Sequence, residues 1–208
     1  MITIKHSPKD LTEQPKKYCR IVVTENKPNW HRLVELSDGT LEYRLGAGKW
    51  KDVDRRTFRT LVRSIVQAAK SHQLEHIALQ LSNSPFPQLA EYGEEWVVRT
   101  IAENISLAAY EFTKYKTKSD KKEQLKEVVV CGEMSAAEKR SFSAGLTIAE
   151  ATNMARDIAN TSGADMTPSL LANAAKEALR GTKASVKVLS SAEIKKQKMG
   201  LLEAVGKA

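Results

Sequence analysis

Short β-branched runs alternate with amphipathic helical stretches along this sequence, and that alternation limits the folds open to it. Residues 20–24, 76–81 and 127–131 are apolar enough for strands buried in a sheet. Asp54 precedes a stretch whose apolar residues recur every three to four positions, which predicts a helix with an Asp N-cap: Phe58, Leu61, Val62, Ile65, Val66 and Ala69. Strands that alternate with helices indicate a layered α/β fold with a mixed or mostly parallel sheet.

A hairpin and two long helices complete this part of the prediction. Ser37-Asp38-Gly39 separates two extended segments, 30–36 and 40–45. Asp-Gly tolerates positive φ, so the sequence predicts a hairpin that gives the sheet one antiparallel edge. A helix is predicted over 89–113, and a second begins at the Ser135/Glu138 capping box and runs to about Asn160.

The last fifty residues predict an incomplete α/β unit. A helix begins at Thr167-Pro168, a strand covers 185–189, and a short helix starts at Ser191 and ends near Gly200. A strand needs partners for its hydrogen-bonding edges and its apolar faces. We therefore expect 161–208 to be the truncated beginning of a second α/β domain, after an N-terminal domain over 1–133 and a connecting helix over 134–160.

Composition excludes several classes of protein. The 208 residues are 41% hydrophobic and 28% charged, which excludes a disordered, collagen-like or coiled-coil chain. Cys19 and Cys131 are too few for a disulfide framework or a metal cluster, and each borders an apolar run, so both are predicted to be buried, reduced thiols. The first twenty residues lack the apolar region of a secretion signal, and we expect a cytoplasmic protein with no membrane span.

Candidate chemistry is sparse. His72 and His76 are four residues apart, but His76 begins a predicted strand, and the glutamate that a helical zinc motif needs is missing. The sequence therefore predicts no catalytic, metal-binding or cofactor-binding residue. The net charge of +8 includes six lysines within 114–126, a pattern typical of a solvated loop. The alternative is nucleic-acid contact, for which the candidates are Lys116, Lys118, Lys121 and Lys122.

Two segments near the end of the sequence carry a family resemblance. Residues 155–172 (ARDIANTSGADMTPSLLA) and 198–207 (KMGLLEAVGK) resemble the region where the leucyl, or cytosol, aminopeptidases leave an interdomain helix and enter the catalytic domain. Ser162 stands where the family usually has proline, and Asp165 where asparagine is common. The resemblance is specific over about 130–208 and architectural over 1–129.

The resemblance implies a parent enzyme that removes N-terminal residues from peptides with two divalent metals, zinc or manganese, and assembles as a hexamer. The family's metal and catalytic motifs lie beyond Ala208, so this chain is expected to be inactive and to serve assembly or regulation. Some bacterial members bind DNA, which keeps that alternative open. The family's N-terminal domain is also similar to macro domains, which implies an ADP-ribose-binding module as a further alternative. The last alternative is a structural assembly protein without a peptidase parent.

Overall fold

The computed structural model describes residues 2–28, 30–82, 84–117 and 125–206, which fall into two compact units, Met1–Arg156 and Asp157–Ala208. The first unit contains a six-stranded sheet in the order β1-β6-β5-β2-β4-β3. Its strands are β1 (Thr3–Ser7), β2 (Cys19–Thr24), β3 (His31–Glu35), β4 (Leu41–Gly46), β5 (His76–Leu79) and β6 (Glu127–Cys131). Among the described residues, β3 and β4 are the one antiparallel pair, which confirms the predicted mixed α/β sheet with one antiparallel edge.

The predicted hairpin joins β3 to β4. Gly39 has φ 80°, a conformation in which a side chain would be strained. The carboxylate of Asp38 accepts hydrogen bonds from the Thr40 backbone N–H and the Thr40 hydroxyl, both at 2.9 Å. These bonds favour the charged form and lower the pKa of Asp38 below its usual value.

Three helices follow the strands: α1 (Arg55–Ser71), α2 (Gly93–Ala109) and α3 (Ala136–Asn160). The Asp54 carboxylate accepts the Thr57 N–H at 2.7 Å and caps α1 as predicted. All six apolar positions predicted for this helix are buried. The prediction of 89–113 for α2 was too long, because a 3-10 turn (Pro87–Tyr92) precedes the helix and Gly93 enters it with φ 68°.

The core lies between the sheet and the α1–α2 pair. Alternate strand residues such as Ile21, Ile77 and Val128 pack with both helices, whereas Tyr18 and Val129 belong to a smaller cluster with Ala78 and Cys131. Side chains of a strand point alternately to opposite faces, so the two clusters occupy opposite faces of the sheet. Cys19 and Cys131 are both free and buried, as predicted.

Sequence analysis missed β1 and overestimated β5. Ile2 and Ile4 alternate with polar residues and are partly buried against the core, so a weak strand pattern was present. Its partner is β6, more than a hundred residues later, and local periodicity carries no information about such a pairing. β5 ends at Leu79 rather than at Leu81.

Among the described residues of the second unit, the regular secondary structure consists of helices: α4 (Pro168–Ala178), α5 (Ser191–Lys196) and α6 (Gly200–Val205). Thr167 and Ser190 cap α4 and α5. The predicted strand over 185–189 is wrong, because no other strand in this unit, within 157–206, offers it hydrogen-bond partners. α5 ends earlier than predicted, and α6 was not predicted. No helix within the described ranges is long and apolar enough to cross a membrane.

Candidate functional site

The resemblance to aminopeptidases rests on α3 and the residues after it, and hydrogen bonds define both parts of this region. α3 begins with the predicted capping box, in which the Ser135 N–H donates to Glu138 at 2.7 Å and the Glu138 N–H donates to the Ser135 hydroxyl at 3.2 Å. Its middle lies against α2 at Gly145. A Cβ at that position would lie 2.5 Å from the carbonyl oxygen of Arg99, so the two helices approach more closely than any side chain there would allow.

Arg156, in the Ala-Arg-Asp run of the resemblance, binds the end of α2. Its guanidinium donates to the carbonyl oxygen of Leu107 at 3.0 Å and lies 5.5 Å from the ring centre of Tyr110. Asn153, one turn earlier, donates to the carbonyl of Ser106 at 3.4 Å. The last carbonyls of a helix lack intrahelical partners, so Arg156 and Asn153 satisfy groups that the fold leaves open. These side chains connect the end of α2 to α3.

The run from 161 to 167 forms a tight connection between α3 and α4. The Thr161 hydroxyl donates to the Asp157 carbonyl at 2.7 Å, and the N–H groups of Asp165 and Met166 both donate to the Ser162 carbonyl at 2.8 Å. Thr167 then caps α4 by accepting the Leu170 N–H at 3.4 Å. These contacts end α3, close the turn and begin α4.

The described residues offer no metal centre. Within residues 2–28, 30–82, 84–117 and 125–206, no three His, Cys, Asp or Glu side chains are grouped so that they could hold an ion. His72 and His31 have ring centres 6.2 Å apart with Tyr43 beside them, which makes an aromatic cluster rather than a set of ligands.

The nucleic-acid candidates lie mostly outside the described residues. Lys118, Lys121 and Lys122 fall in 118–124, beyond the described ranges, and only Lys116 is placed. Lys116 is exposed, and its backbone N–H donates to the Thr113 carbonyl at 3.0 Å. Next to it, the half-exposed ring of Tyr115 has the Lys114 ammonium 5.4 Å from its centre.

An ADP-ribose site would lie at the carboxyl ends of the parallel strands, because open α/β sheets bind their ligands there. A cavity there, between the ends of β2 and β5, has a volume of about 180 Å³ and is bordered by Trp50, Gln80 and Phe86. Sites for small molecules usually have about 300–1,000 Å³. This cavity is too small for a dinucleotide-sized ligand, so the macro-domain alternative is not favoured.

The start of β6 carries a partly exposed ionic network around Glu127 that sequence analysis missed. The Tyr18 hydroxyl donates to the Glu127 carboxylate at 2.6 Å, Lys5 forms an ion pair with the same carboxylate, and the Lys17 ammonium lies 3.7 Å away. The hydrogen bonds from Lys5 and Tyr18 lower the pKa of Glu127. The network joins β1, β6 and the segment before β2, and its role is to hold them together.

Comparison with known families identifies both parts of the chain. Residues 43–119 match the N-terminal domain of the cytosol aminopeptidase family, and residues 153–208 match its catalytic domain. A probable cytosol aminopeptidase of Roseiflexus castenholzii is 29% identical over 166 residues, which are 78% of this chain and 33% of the relative. One from Alkalilimnicola ehrlichii is 29% identical over 189 residues, 87% of this chain and 37% of the relative. The chain thus spans about a third of the length of these curated relatives.

Solved structures share the fold. A tomato leucine aminopeptidase mutant superposes with a TM-score of 0.78 at 18% identity, over 95% of this chain and 46% of that one. The bottromycin maturation enzyme BotP, solved in complex with Mn, gives a TM-score of 0.57 at 21% identity, over 86% of this chain and 36% of that one.

Both sequence matches concern a two-domain peptidase, and they follow one another along the chain in the order N-terminal domain, then catalytic domain. The chain belongs to the cytosol aminopeptidase family and corresponds to the N-terminal part of its members, as the resemblance implied. Members of this family are metal-dependent in general.

Proposed function

We propose that this chain is the N-terminal part of a metal-dependent aminopeptidase, whose whole protein releases N-terminal amino acids from peptides with two divalent ions, zinc or manganese. The order of the two family matches carries the proposal: the N-terminal-domain match ends at 119, and the catalytic-domain match begins at 153, inside α3. The names of the relatives supply the activity, and the cytoplasm is the compartment that we propose for it.

The role that we propose for these 208 residues is assembly or regulation within a hexamer, not chemistry. No described residue from 157 to 206 is buried, and several large apolar side chains there are strongly exposed, among them Leu201 at 88% and Val205 at 78%. Apolar groups at this exposure gain free energy by burial. In the whole protein these residues would pack within a larger catalytic domain.

The first experiment measures activity of the 208-residue chain. We expect no release of p-nitroaniline from leucyl p-nitroanilide when the purified chain is incubated with Mn²⁺ or Zn²⁺, since the described residues offer no metal ligands. Metal-stimulated release that co-purifies with the chain would overturn the proposal that it is catalytically silent.

A chimaera tests the parent activity. Residues 1–208 are joined to the part of the Roseiflexus relative that follows its matched segment, and the same C-terminal part alone is the control. We expect the chimaera to form a larger, defined assembly by light scattering and to release leucine in a metal-dependent way, because the N-terminal unit and α3 supply the missing partner surface. Assembly and activity no greater than those of the C-terminal part alone would contradict the proposal.

DNA binding is a second candidate, favoured by the exposed Tyr115 ring beside Lys114 and Lys116. Bases stack on such rings while lysines neutralise phosphates. The test is affinity for a single-stranded oligonucleotide at increasing salt, for the native chain and for a variant with Lys116, Lys118, Lys121 and Lys122 replaced by Glu. Charge reversal at Lys183, Lys187, Lys195 and Lys196 is the matched control. A steep salt dependence that only the first variant loses supports this candidate, and no complex at low salt removes it.

A further inference from the structure

An open cavity lies between the start of α1 and the 3-10 turn that precedes α2. Its volume is about 680 Å³, and its walls include Arg55, Arg56 and Arg59 on one side and Gln88 and Tyr92 on the other. All three arginines are exposed. The volume falls within the range of about 300–1,000 Å³ that is usual for small-molecule sites. Sequence analysis recognised this stretch only as an amphipathic helix with an Asp cap.

Aromatic rings hold two of the three guanidinium groups in place. The guanidinium carbon of Arg55 lies 4.9 Å from the ring centre of Tyr92, and that of Arg59 lies 5.7 Å from the ring of Trp96. A guanidinium stacked on a ring keeps its planar N–H edge available for an oxyanion. Contacts with Tyr92 and Trp96 therefore orient Arg55 and Arg59 before any ligand binds.

The arginines that border this cavity outnumber its acidic side chains by three to two. Among the described residues, none of the three arginines forms an ion pair with an acidic side chain. Two carboxylates also border the cavity and keep their negative charge: Asp54 accepts the Thr57 N–H as the helix cap, and Glu91 accepts a hydrogen bond from Tyr92. The lining thus carries one positive charge in excess. Arg63, further along α1, differs because it donates to Asn104 at 2.8 Å and so has a structural partner.

The position of the arginines is unfavourable for the helix. Arg55 and Arg56 are the first two residues of α1, whose first turn contains no acidic residue. The N-terminal end of a helix carries partial positive charge, so cations there are destabilising by a few tenths of a kcal/mol to about 1 kcal/mol each. Local rules are broken in this way mostly where a function requires it.

We propose that this cavity binds the diphosphate group of a small molecule. Arginine pairs with phosphate oxygens through two parallel hydrogen bonds, and three arginines that border one cavity match an anion with several charges better than a single carboxylate. The positive end of α1 adds to the same attraction. Every residue of the site lies within the range 43–119 that matches the family's N-terminal domain, and its test needs no peptidase activity.

Calorimetry on the full 208-residue chain tests the site, with inorganic pyrophosphate and ADP as probes at low salt. The test variant is Arg55→Gln/Arg56→Gln/Arg59→Gln. The matched control, Lys183→Gln/Lys187→Gln/Lys195→Gln, removes the same charge from the second unit. We expect saturable 1:1 binding that the test variant weakens by at least about tenfold and the control by less than about twofold. Tighter binding of ADP than of pyrophosphate would identify an organic diphosphate as the ligand, and equal binding would identify the diphosphate group alone.

Tryptophan fluorescence of the native chain tests binding without arginine substitutions, so a folding defect of the triple variant cannot be mistaken for loss of the site. Trp96 lies beside Arg59, so bound pyrophosphate should change the tryptophan fluorescence of the native chain, and Trp96→Phe should remove that change. Absence of saturable binding of both probes would overturn the proposal. So would equal loss in the two triple variants, which indicates unspecific attraction, or binding only to oligonucleotides with affinity that grows with their length, which indicates a nucleic-acid surface instead.

Discussion

Glu127 shows how much a single side chain contributes that local sequence does not reveal. In the sequence it is the polar first residue of an apolar strand. In the structure it accepts a hydrogen bond from the buried Tyr18 and pairs with Lys5, and both interactions lower the pKa of its carboxyl group. Its partners come from β1 and from the segment before β2, so one carboxylate connects three parts of the sheet.

This network predicts a pH dependence of stability. The folded state holds the pKa of Glu127 below the unfolded value, so its contribution is fully present above the unfolded pKa of about 4.3 and is lost as the pH falls through the folded pKa. Glu127→Gln should therefore lower the free energy of urea unfolding at pH 7, and the difference from the native chain should shrink below about pH 4. Glu150→Gln, an exposed change on α3, is the control. A constant difference between Glu127→Gln and the native chain from pH 7 to pH 3 would contradict the role of the charge.

The two thiols give a second prediction at this scale. Burial raises the pKa of Cys19 and of Cys131 to about 11, so only about one thiol in a thousand is ionised at pH 8. Iodoacetamide should label neither residue in the native chain within a time that labels both fully in urea, as followed by intact mass. Rapid labelling of either thiol in the native chain would show that the sheet opens locally around it.

At the scale of elements, the contact between α2 and α3 depends on one missing side chain. Gly145 allows the helices to touch, because a Cβ there would meet the Arg99 carbonyl. Asn153 and Arg156 then secure the same pair about two and three turns later. The helix itself was predictable from the Ser135/Glu138 box, but its direction against α2 was not, because the partner surface is distant in sequence.

Gly145→Val should therefore destabilise the chain by about 2 kcal/mol, the usual effect of forcing extra volume into a packed contact. The measurement is urea unfolding followed by far-ultraviolet circular dichroism. Ala144→Val places the same β-branched residue on the exposed side of the same helix and should lower stability by only about 0.5 kcal/mol. If the two variants lost stability equally, helix propensity and not the close approach would explain the effect.

The elements that sequence analysis predicted or missed differ in where their stabilising contacts lie. α1 was predicted in detail, because its cap is adjacent and its apolar stripe has a fixed period. β1 was missed and the strand over 185–189 was predicted wrongly, because a strand exists only when another strand pairs with it. The arginine cavity could not be predicted either, since Tyr92 borders it from the 3-10 turn before α2, and Trp96 contacts Arg59 from α2.

At the scale of the whole molecule, the two units differ in how much they bury. The first has a sheet, three packed helices and a continuous core, whereas no described residue from 157 to 206 is buried. A stretch of chain without buried contacts opens at little cost in free energy. The second unit thus holds its helices by local caps, such as Thr167 and Ser190, more than by packing.

Limited trypsin digestion should expose this difference. We expect cleavage after Arg180, Lys183, Lys187 and Lys195 at least about tenfold faster than cleavage within α1 or the sheet, because trypsin needs locally opened chain. Mass spectrometry of the first products gives the order of the cuts. Early cuts after Arg59 or Arg63 in α1 would show instead that the first unit is the less stable one.

The sequence by itself determined the α/β class, the hairpin, the main helices with their caps and, through residues 155–172, the family. These features depend on periodicity, turn chemistry and motifs, all of which act over a few residues. Only the tertiary structure decided the strand order, the Glu127 network, the close approach at Gly145 and the cavity of Arg55, Arg56 and Arg59. Each of these features requires groups that are far apart in the chain to come into contact. The free energy of such a contact depends on every element packed around it.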